Sequence, residues 1–163
     1  MSDTTTEEKT ITFEVGQDAP DFNLPTDSGA NASLAELKGK KIVLYFYPKD
    51  DTPGCTIEAK EFRDNIDAFA AANTTIIGVS KDSVKSHDKF KEKHCLPFAL
   101  ASDEEGDVCE RYGVWIEKAM YGKKYMGIQR ATFLIGEDGK FLKIWPKVSV
   151  TGHVDEVLAA AQN

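Results

Sequence analysis

Lys41-Ile42-Val43-Leu44-Tyr45-Phe46-Tyr47 is apolar almost from end to end and runs directly into Pro48-Lys49-Asp50-Asp51-Thr52-Pro53-Gly54-Cys55. The length of the apolar run, its β-branched residues and its aromatics predict a central strand buried on both faces. Thr52-Pro53-Gly54-Cys55 has the grammar of a helix start. Threonine is a good N-cap, and proline is favoured at the first helical position, where its missing N–H costs nothing. Ile57, Phe62, Ile66 and Phe69 then recur at near-helical spacing with charges between them, which predicts one amphipathic helix over 53–72.

The pattern continues outward from this unit. Residues 74–79 form a second buried strand. Asp82 can cap a helix over roughly 83–94 that turns Val84 and Phe90 inward. Residues 96–100 are a short extended piece. Ser102-Asp103-Glu104-Glu105 opens a helix that stops at Gly113, and 114–127 reads as a loop. Residues 129–135 form a strand, Asp138-Gly139 a hairpin turn, and 140–145 its partner. Thr151 can cap a last helix whose inner face is Val154, Val157 and Leu158. On the N-terminal side, 1–10 read as a disordered tail and 11–15 as a short strand. Residues 16–25 read as an extended segment or small hairpin, and 34–38 as one helical turn. Alternating strands and helices imply a parallel part, and the terminal hairpin an antiparallel one. The fold class is α/β, a mixed central sheet flanked by helices on both faces. That is the element order of a thioredoxin-like fold, expected as a single domain over 11–163.

Twenty basic against 27 acidic residues give a net charge of −7, which argues against nucleic-acid and anionic-membrane partners. No apolar run approaches the ~20 residues of a membrane helix. The polar, acidic start lacks the basic-then-apolar pattern of a secretory leader, so a cytoplasmic location is expected. Cys55, Cys95 and Cys109 are too few and too irregularly spaced for a disulfide framework or a zinc site.

Cys55 is the candidate nucleophile. If Thr52 caps the helix, Cys55 lies in the first turn, where unpaired N–H groups and the helix dipole favour a thiolate. Asp50 and Asp51 oppose this unless they point to solvent, as expected for a loop. Arg130, at the edge of the 129–135 strand, is the best candidate for a supporting cation. A C-x-x-C redox pair is excluded because Thr52 and Glu58 flank Cys55 at the relevant spacing.

Tyr47-Pro48-Lys49-Asp50-Asp51-Thr52-Pro53-Gly54-Cys55-Thr56 resembles the active-site loop of the peroxiredoxins, in particular the branch called bacterioferritin comigratory protein or peroxiredoxin Q. The resemblance extends through Asp64-Asn65, Gly78-Val79-Ser80, Ser102-Asp103-Glu104, Cys109-Glu110-Arg111-Tyr112-Gly113-Val114-Trp115 and Arg130-Ala131-Thr132-Phe133-Leu134-Ile135. It implies a thiol-dependent peroxidase that reduces hydrogen peroxide and organic hydroperoxides and is recycled by thioredoxin or a glutaredoxin-type reductant. It further implies a monomer with no cofactor. Cys55 would attack the terminal peroxide oxygen, and Thr52 would hydrogen-bond thiolate and substrate. Pro48 would shield the sulfur, and Arg130 would stabilise the thiolate and polarise the O–O bond. The rivals are a thiol-disulfide oxidoreductase of the same fold and a redox sensor or holdase that oxidises without turnover.

The sulfenic acid left on Cys55 needs a second thiol. Many family members carry one five residues on, where this chain has Lys60. Another branch places it in the next long helix, at a spacing closer to Lys91. Cys95, about one turn further, is the internal candidate, and Cys109 reads as a core residue. His87 and His94, two turns apart on one helix, and His153, at the start of the last helix, are expected to be solvated or capping; no metal is expected. Trp115 and Trp145 read as packing residues.

Overall fold

The computed structural model describes residues 13–163. The tail expected over 1–10 lies outside them, as do Ile11 and Thr12 of the first expected strand; Phe13 and Glu14 lie in no strand. The extended segment supplies β1 (Asn23–Pro25), which pairs antiparallel with β2 (Asn31–Ser33) and is followed by a 3-10 turn over Ala35–Leu37. β3 (Lys41–Phe46) leads to α1 (Pro53–Asp64) and α2 (Ile66–Ala71), and β4 (Thr74–Ser80) to α3 (Val84–His94). Then come β5 (Ala99–Ser102), α4 (Val108–Arg111), β6 (Trp115–Met120), β7 (Lys123–Ile128), β8 (Ala131–Ile135), β9 (Phe141–Trp145) and α5 (His153–Gln162).

The main sheet has the order β5-β4-β3-β8-β9. β3, β4 and β5 are parallel, while β8 runs antiparallel to both β3 and β9. Side chains alternate across the sheet, so β3 feeds two cores. Ile42, Leu44 and Phe46 join Phe133, Tyr112 and Val108 on one face. Val43, Tyr45 and Tyr47 join Phe62, Phe69, Phe90 and Val157 on the other. Helices α1, α2, α3 and α5 therefore cover one face and α4 the other. The two β-α-β crossovers step in the same direction along the sheet, and right-handed connections then place their helices on a common face. The mixed sheet with helices on both faces is thus as the sequence predicts.

Several elements differ from the sequence reading. The single helix over 53–72 is broken at Asn65 (φ −113°, ψ 15°) into α1 and α2. Its buried face is Cys55, Glu58, Ala59 and Phe62, while Ile57 is 51 % exposed. Ser83, rather than Asp82, caps α3 by accepting from the Ser86 N–H. The helix expected after Ser102 shrinks to α4, because the Asp103 carboxylate reaches past a turn to accept from the N–H groups of Val108 and Cys109. Gly152, with φ 75°, precedes α5 in place of Thr151. The expected loop over 114–127 is a β-hairpin instead. Tyr121 and Gly122 both adopt positive φ at its tip, the backbone of a tight two-residue hairpin turn. Much of this ribbon is exposed, so it lacks the apolar alternation that announces a strand.

Candidate active site

The carboxyl end of β3, next to antiparallel β8, builds the site. Phe46 pairs with Ala131, so Arg130 enters level with the start of the loop that carries Asp50 to Cys55. Open α/β sheets place sites beyond the carboxyl ends of their parallel strands for the same topological reason. Thr52 is the N-cap of α1 with extended backbone (φ −97°, ψ 158°), and Pro53 opens the helix. The Thr52 carbonyl accepts from the Thr56 N–H at 2.8 Å. Its hydroxyl makes no cap bond and donates to the Lys49 carbonyl at 2.9 Å. Pro48 is exposed at the end of the strand.

Cys55 sits in the first turn of α1 and is 2 % exposed. Arg130 Nη2 lies 3.3 Å from Cys55 Sγ, and Nη1 donates to Glu58 Oε1 at 2.6 Å. One guanidinium therefore bridges two acidic groups one helical turn apart. Gly54 makes this approach possible, since a Cβ there would lie 3.2 Å from Arg130 Nη2. Glu58 is completely buried, and its second oxygen has no hydrogen-bond partner among the described residues. Burial pushes its carboxyl up to about 7, although the Arg130 charge and hydrogen bond pull the other way. Lys118 of β6 senses both Arg130 and Cys55; burial first, then the Arg130 charge, holds its pKa below the usual lysine value. Tyr45 of β3 packs across Gly78 and stacks on Phe62 at 4.7 Å. Its buried hydroxyl has no partner among the described residues.

The structure thus brings Cys55 and Arg130 together and adds Glu58 and Lys118, which the sequence reading did not single out. A signal for Glu58 existed: it is an acidic residue within the stripe Cys55, Ala59, Phe62. Lys118 gave none, because its hairpin read as loop.

Asp50 is not directed to solvent, and His87 is not solvated. Asp50 is 7 % exposed and His87 0 %. Asp50 accepts from the Tyr47 hydroxyl at 2.6 Å, from the Ser86 hydroxyl at 2.7 Å, and pairs with His87 Nδ1 at 2.7 Å. His87 Nε2 lies 3.0 Å from the Ala101 carbonyl. Both imidazole nitrogens face acceptors, a setting that favours the doubly protonated, positively charged ring. Burial opposes that charge, but the hydrogen bond and charge of Asp50 outweigh it and raise the His87 pKa. The pair fastens α3 to the loop before Cys55. The Asp50 backbone N–H also donates to Asp82 Oδ2 at 2.7 Å. Ligand atoms of Asp50, Asp82 and His87 lie within 4.8 Å of one another, the one such grouping among the described residues. Protein partners already engage them, which leaves a cation little to coordinate.

Asp51, with φ 60°, is held from α3 by Lys93 Nζ at 2.9 Å and His94 Nε2 at 3.3 Å. Cys95 is the exposed C-cap of α3, in the left-handed conformation (φ 52°). Cys109 is fully buried; burial first, then Asp103, keeps it a thiol by raising its pKa. His153 is neither solvated nor a cap: it is buried against Thr132 Oγ1 at 2.8 Å, and burial lowers its pKa to about 4. Trp145 packs on His153 at 5.5 Å and Trp115 lies under Lys81 Nζ at 4.9 Å, so both tryptophans do pack.

Comparison with known proteins identifies the family. The model of the AhpC/TSA family matches residues 15–144. A putative peroxiredoxin bcp of Coxiella burnetii is 57 % identical over 148 residues, covering 91 % of this chain and 98 % of that protein. Peroxiredoxin Bcp of Bacillus subtilis is 54 % identical, covering 91 % and 94 %. Among solved structures, the Xanthomonas campestris bacterioferritin comigratory protein, studied for alkyl peroxide reduction, superposes with a TM-score of 0.85 at 42 % identity, covering 91 % of this chain and 98 % of that one. Peroxidoxin BcpB of Mycobacterium tuberculosis gives 0.81 at 35 % identity, covering 93 % and 97 %. With the family model matching most of the chain and two relatives more than half identical along nearly its whole length, the chain belongs to the AhpC/TSA family, among the peroxiredoxins of the Bcp, or peroxiredoxin Q, branch.

Proposed function

We propose that this thiol peroxidase reduces hydrogen peroxide and alkyl hydroperoxides through Cys55, with Arg130, Thr52 and Pro48 shaping the reaction around it. The observation that carries this is the 3.3 Å contact between Arg130 Nη2 and Cys55 Sγ at the first turn of α1. Helix N–H groups and the guanidinium both favour negative charge on sulfur. Sγ attacks the terminal peroxide oxygen, the S–O bond forms as the O–O bond breaks, and sulfur is oxidised to the sulfenic acid while the other oxygen leaves as water or an alcohol. Arg130 stabilises the charge that develops on the separating oxygens. Thr52, whose hydroxyl donates to Lys49 at rest, can turn its other face to the peroxide.

Cys95 is proposed as the resolving thiol. It is exposed and terminates the helix that holds Asp51, whereas Cys109 is sealed in the core. Cys55 is buried, so a bond of ~2 Å between the sulfurs requires the first turn of α1 and the end of α3 to open. The resulting disulfide would be reduced by a thioredoxin- or glutaredoxin-type dithiol, the chain acting as a cytoplasmic monomer of one domain over 11–163. No helix of the described residues is long and apolar enough to cross a membrane. The test is intact-mass spectrometry after one equivalent of peroxide on the wild type and on each Cys→Ser variant. Oxidation should vanish in Cys55→Ser alone, and the internal disulfide should vanish in Cys95→Ser. Oxidation that persists in Cys55→Ser refutes the first assignment, and an undiminished disulfide in Cys95→Ser the second.

A further inference from the structure

Glu58 has no part in the reaction above, yet it shares the Arg130 guanidinium with the reacting sulfur. It lies three residues after Cys55, so the helix sets both side chains on one face. Arg130 reaches both, Nη1 to Glu58 Oε1 and Nη2 to Cys55 Sγ. Both acids are withdrawn from water, and Glu58 Oε2 has no hydrogen-bond partner among the described residues. A buried carboxylate with an unpartnered oxygen is costly unless its cation is its own. Here the cation is divided, so two anions at once would leave one uncompensated.

We propose that Cys55 and Glu58 share one proton: Glu58 carries it while Cys55 is a thiolate and releases it when the sulfur becomes a neutral sulfenic acid. The proposal rests on Cys55 being the reacting thiol. In the reduced state the pocket holds thiolate, carboxylic acid and guanidinium. After attack it holds sulfenic acid, carboxylate and guanidinium. The charge around Arg130 is the same before and after, and Arg130 always faces one anion. The atoms balance. The thiolate and ROOH give the sulfenic acid and RO⁻, with sulfur losing the two electrons that the O–O bond takes. The proton leaving Glu58 equals the one RO⁻ gains in becoming ROH.

The surrounding groups support this assignment. Burial raises Glu58 and the neighbouring Glu61 charge adds to the effect, while Arg130 opposes it. From β3, Tyr45 is held neutral by burial and by the Glu58 and Cys55 charges. From β6, Lys118 senses Cys55 and Arg130, and from α5 His153 senses Arg130. Glu58 is a positioning and proton-holding group rather than a catalytic residue, since it is sealed from substrate.

The test measures proton stoichiometry. Reduced wild type and Glu58→Gln, which keeps an acceptor for Arg130 Nη1, are each mixed with one equivalent of hydrogen peroxide near neutral pH in weak buffer with an indicator dye. Thiolate is followed by its ultraviolet absorbance and sulfenic acid by intact mass. The expected result is that wild type, starting as thiolate, forms sulfenic acid with no net proton uptake, while Glu58→Gln takes up a full proton per sulfur oxidised. A wild-type thiolate that takes up the same full proton overturns the proposal. Should Glu58→Gln fail to fold, the reduced-minus-oxidised infrared spectrum of the wild type decides alone: a protonated-carboxyl C=O band must be present before peroxide and lost after it, and its absence overturns the proposal. If Cys55 forms no sulfenic acid at all, the underlying assignment has failed instead.

Discussion

Replacing His87 by leucine tests whether a buried ion pair holds α3 against the Cys55 loop. In the wild type the Asp50 carboxylate has three partners among the described residues: the Tyr47 hydroxyl at 2.6 Å, the Ser86 hydroxyl at 2.7 Å and His87 Nδ1 at 2.7 Å. The substitution removes the only cation among them and leaves the Ala101 carbonyl without its Nε2 partner. Breaking a buried pair from one side costs ~3–5 kcal/mol. Two hydroxyls remain on Asp50, so the low end applies, about 3 kcal/mol. For a chain of this size that corresponds to a fall in Tm of roughly 6–12 °C. The measurement is chemical and thermal unfolding of His87→Leu, Asp50→Asn and the double variant. The double variant should cost less than the sum of the singles, because each single strands its partner. The pH dependence supplies the sign. The folded His87 pKa is raised, so its stabilisation is full below the unfolded imidazole value of ~6.5 and is lost as pH rises through the folded value. The gap between wild type and His87→Leu should therefore narrow toward alkaline pH. A cost below ~1 kcal/mol, or a gap that widens as pH rises, would refute the ion pair.

Arg130→Gln should lower the rate of peroxide reduction by ~10²–10³-fold, as for the loss of one preorganised donor, measured by stopped-flow oxidation of Cys55. Undiminished reactivity would remove Arg130 from the mechanism. Gly54→Ala places a Cβ 3.2 Å from Arg130 Nη2. Displacing the guanidinium by a few tenths of an ångström should cost about tenfold in rate with little change in Tm, and unchanged kinetics would show that the arginine has room to spare. Gly78→Ala brings a Cβ to 2.8 Å from Tyr45 Cζ, in a stack closed by Phe62, so a loss of ~1–3 kcal/mol in unfolding free energy is expected.

Much of this molecule was legible in local pattern. The apolar run of β3, the Asp138-Gly139 turn and the Thr52-Pro53-Gly54-Cys55 helix start each depend on near neighbours, and each formed where it was read. Arg130 was legible as the basic residue at the mouth of an apolar strand. The hairpin of β6 and β7 was not, because a largely exposed two-stranded ribbon has too little buried surface to impose a period on its sequence.

Residue order alone was enough for the α/β class, for the position of Cys55 at a helix start and for its resemblance to the peroxiredoxins. Which charges surround that cysteine was settled by the packing of the elements. Glu58 and His87 looked like ordinary polar residues on two separate helices. They became buried partners only when α1 packed against β3 and Arg130 arrived from the strand beside it, and when α3 closed on Asp50. Local pattern shows where a side chain can point, but whether a polar group keeps its water depends on what the rest of the chain lays over it.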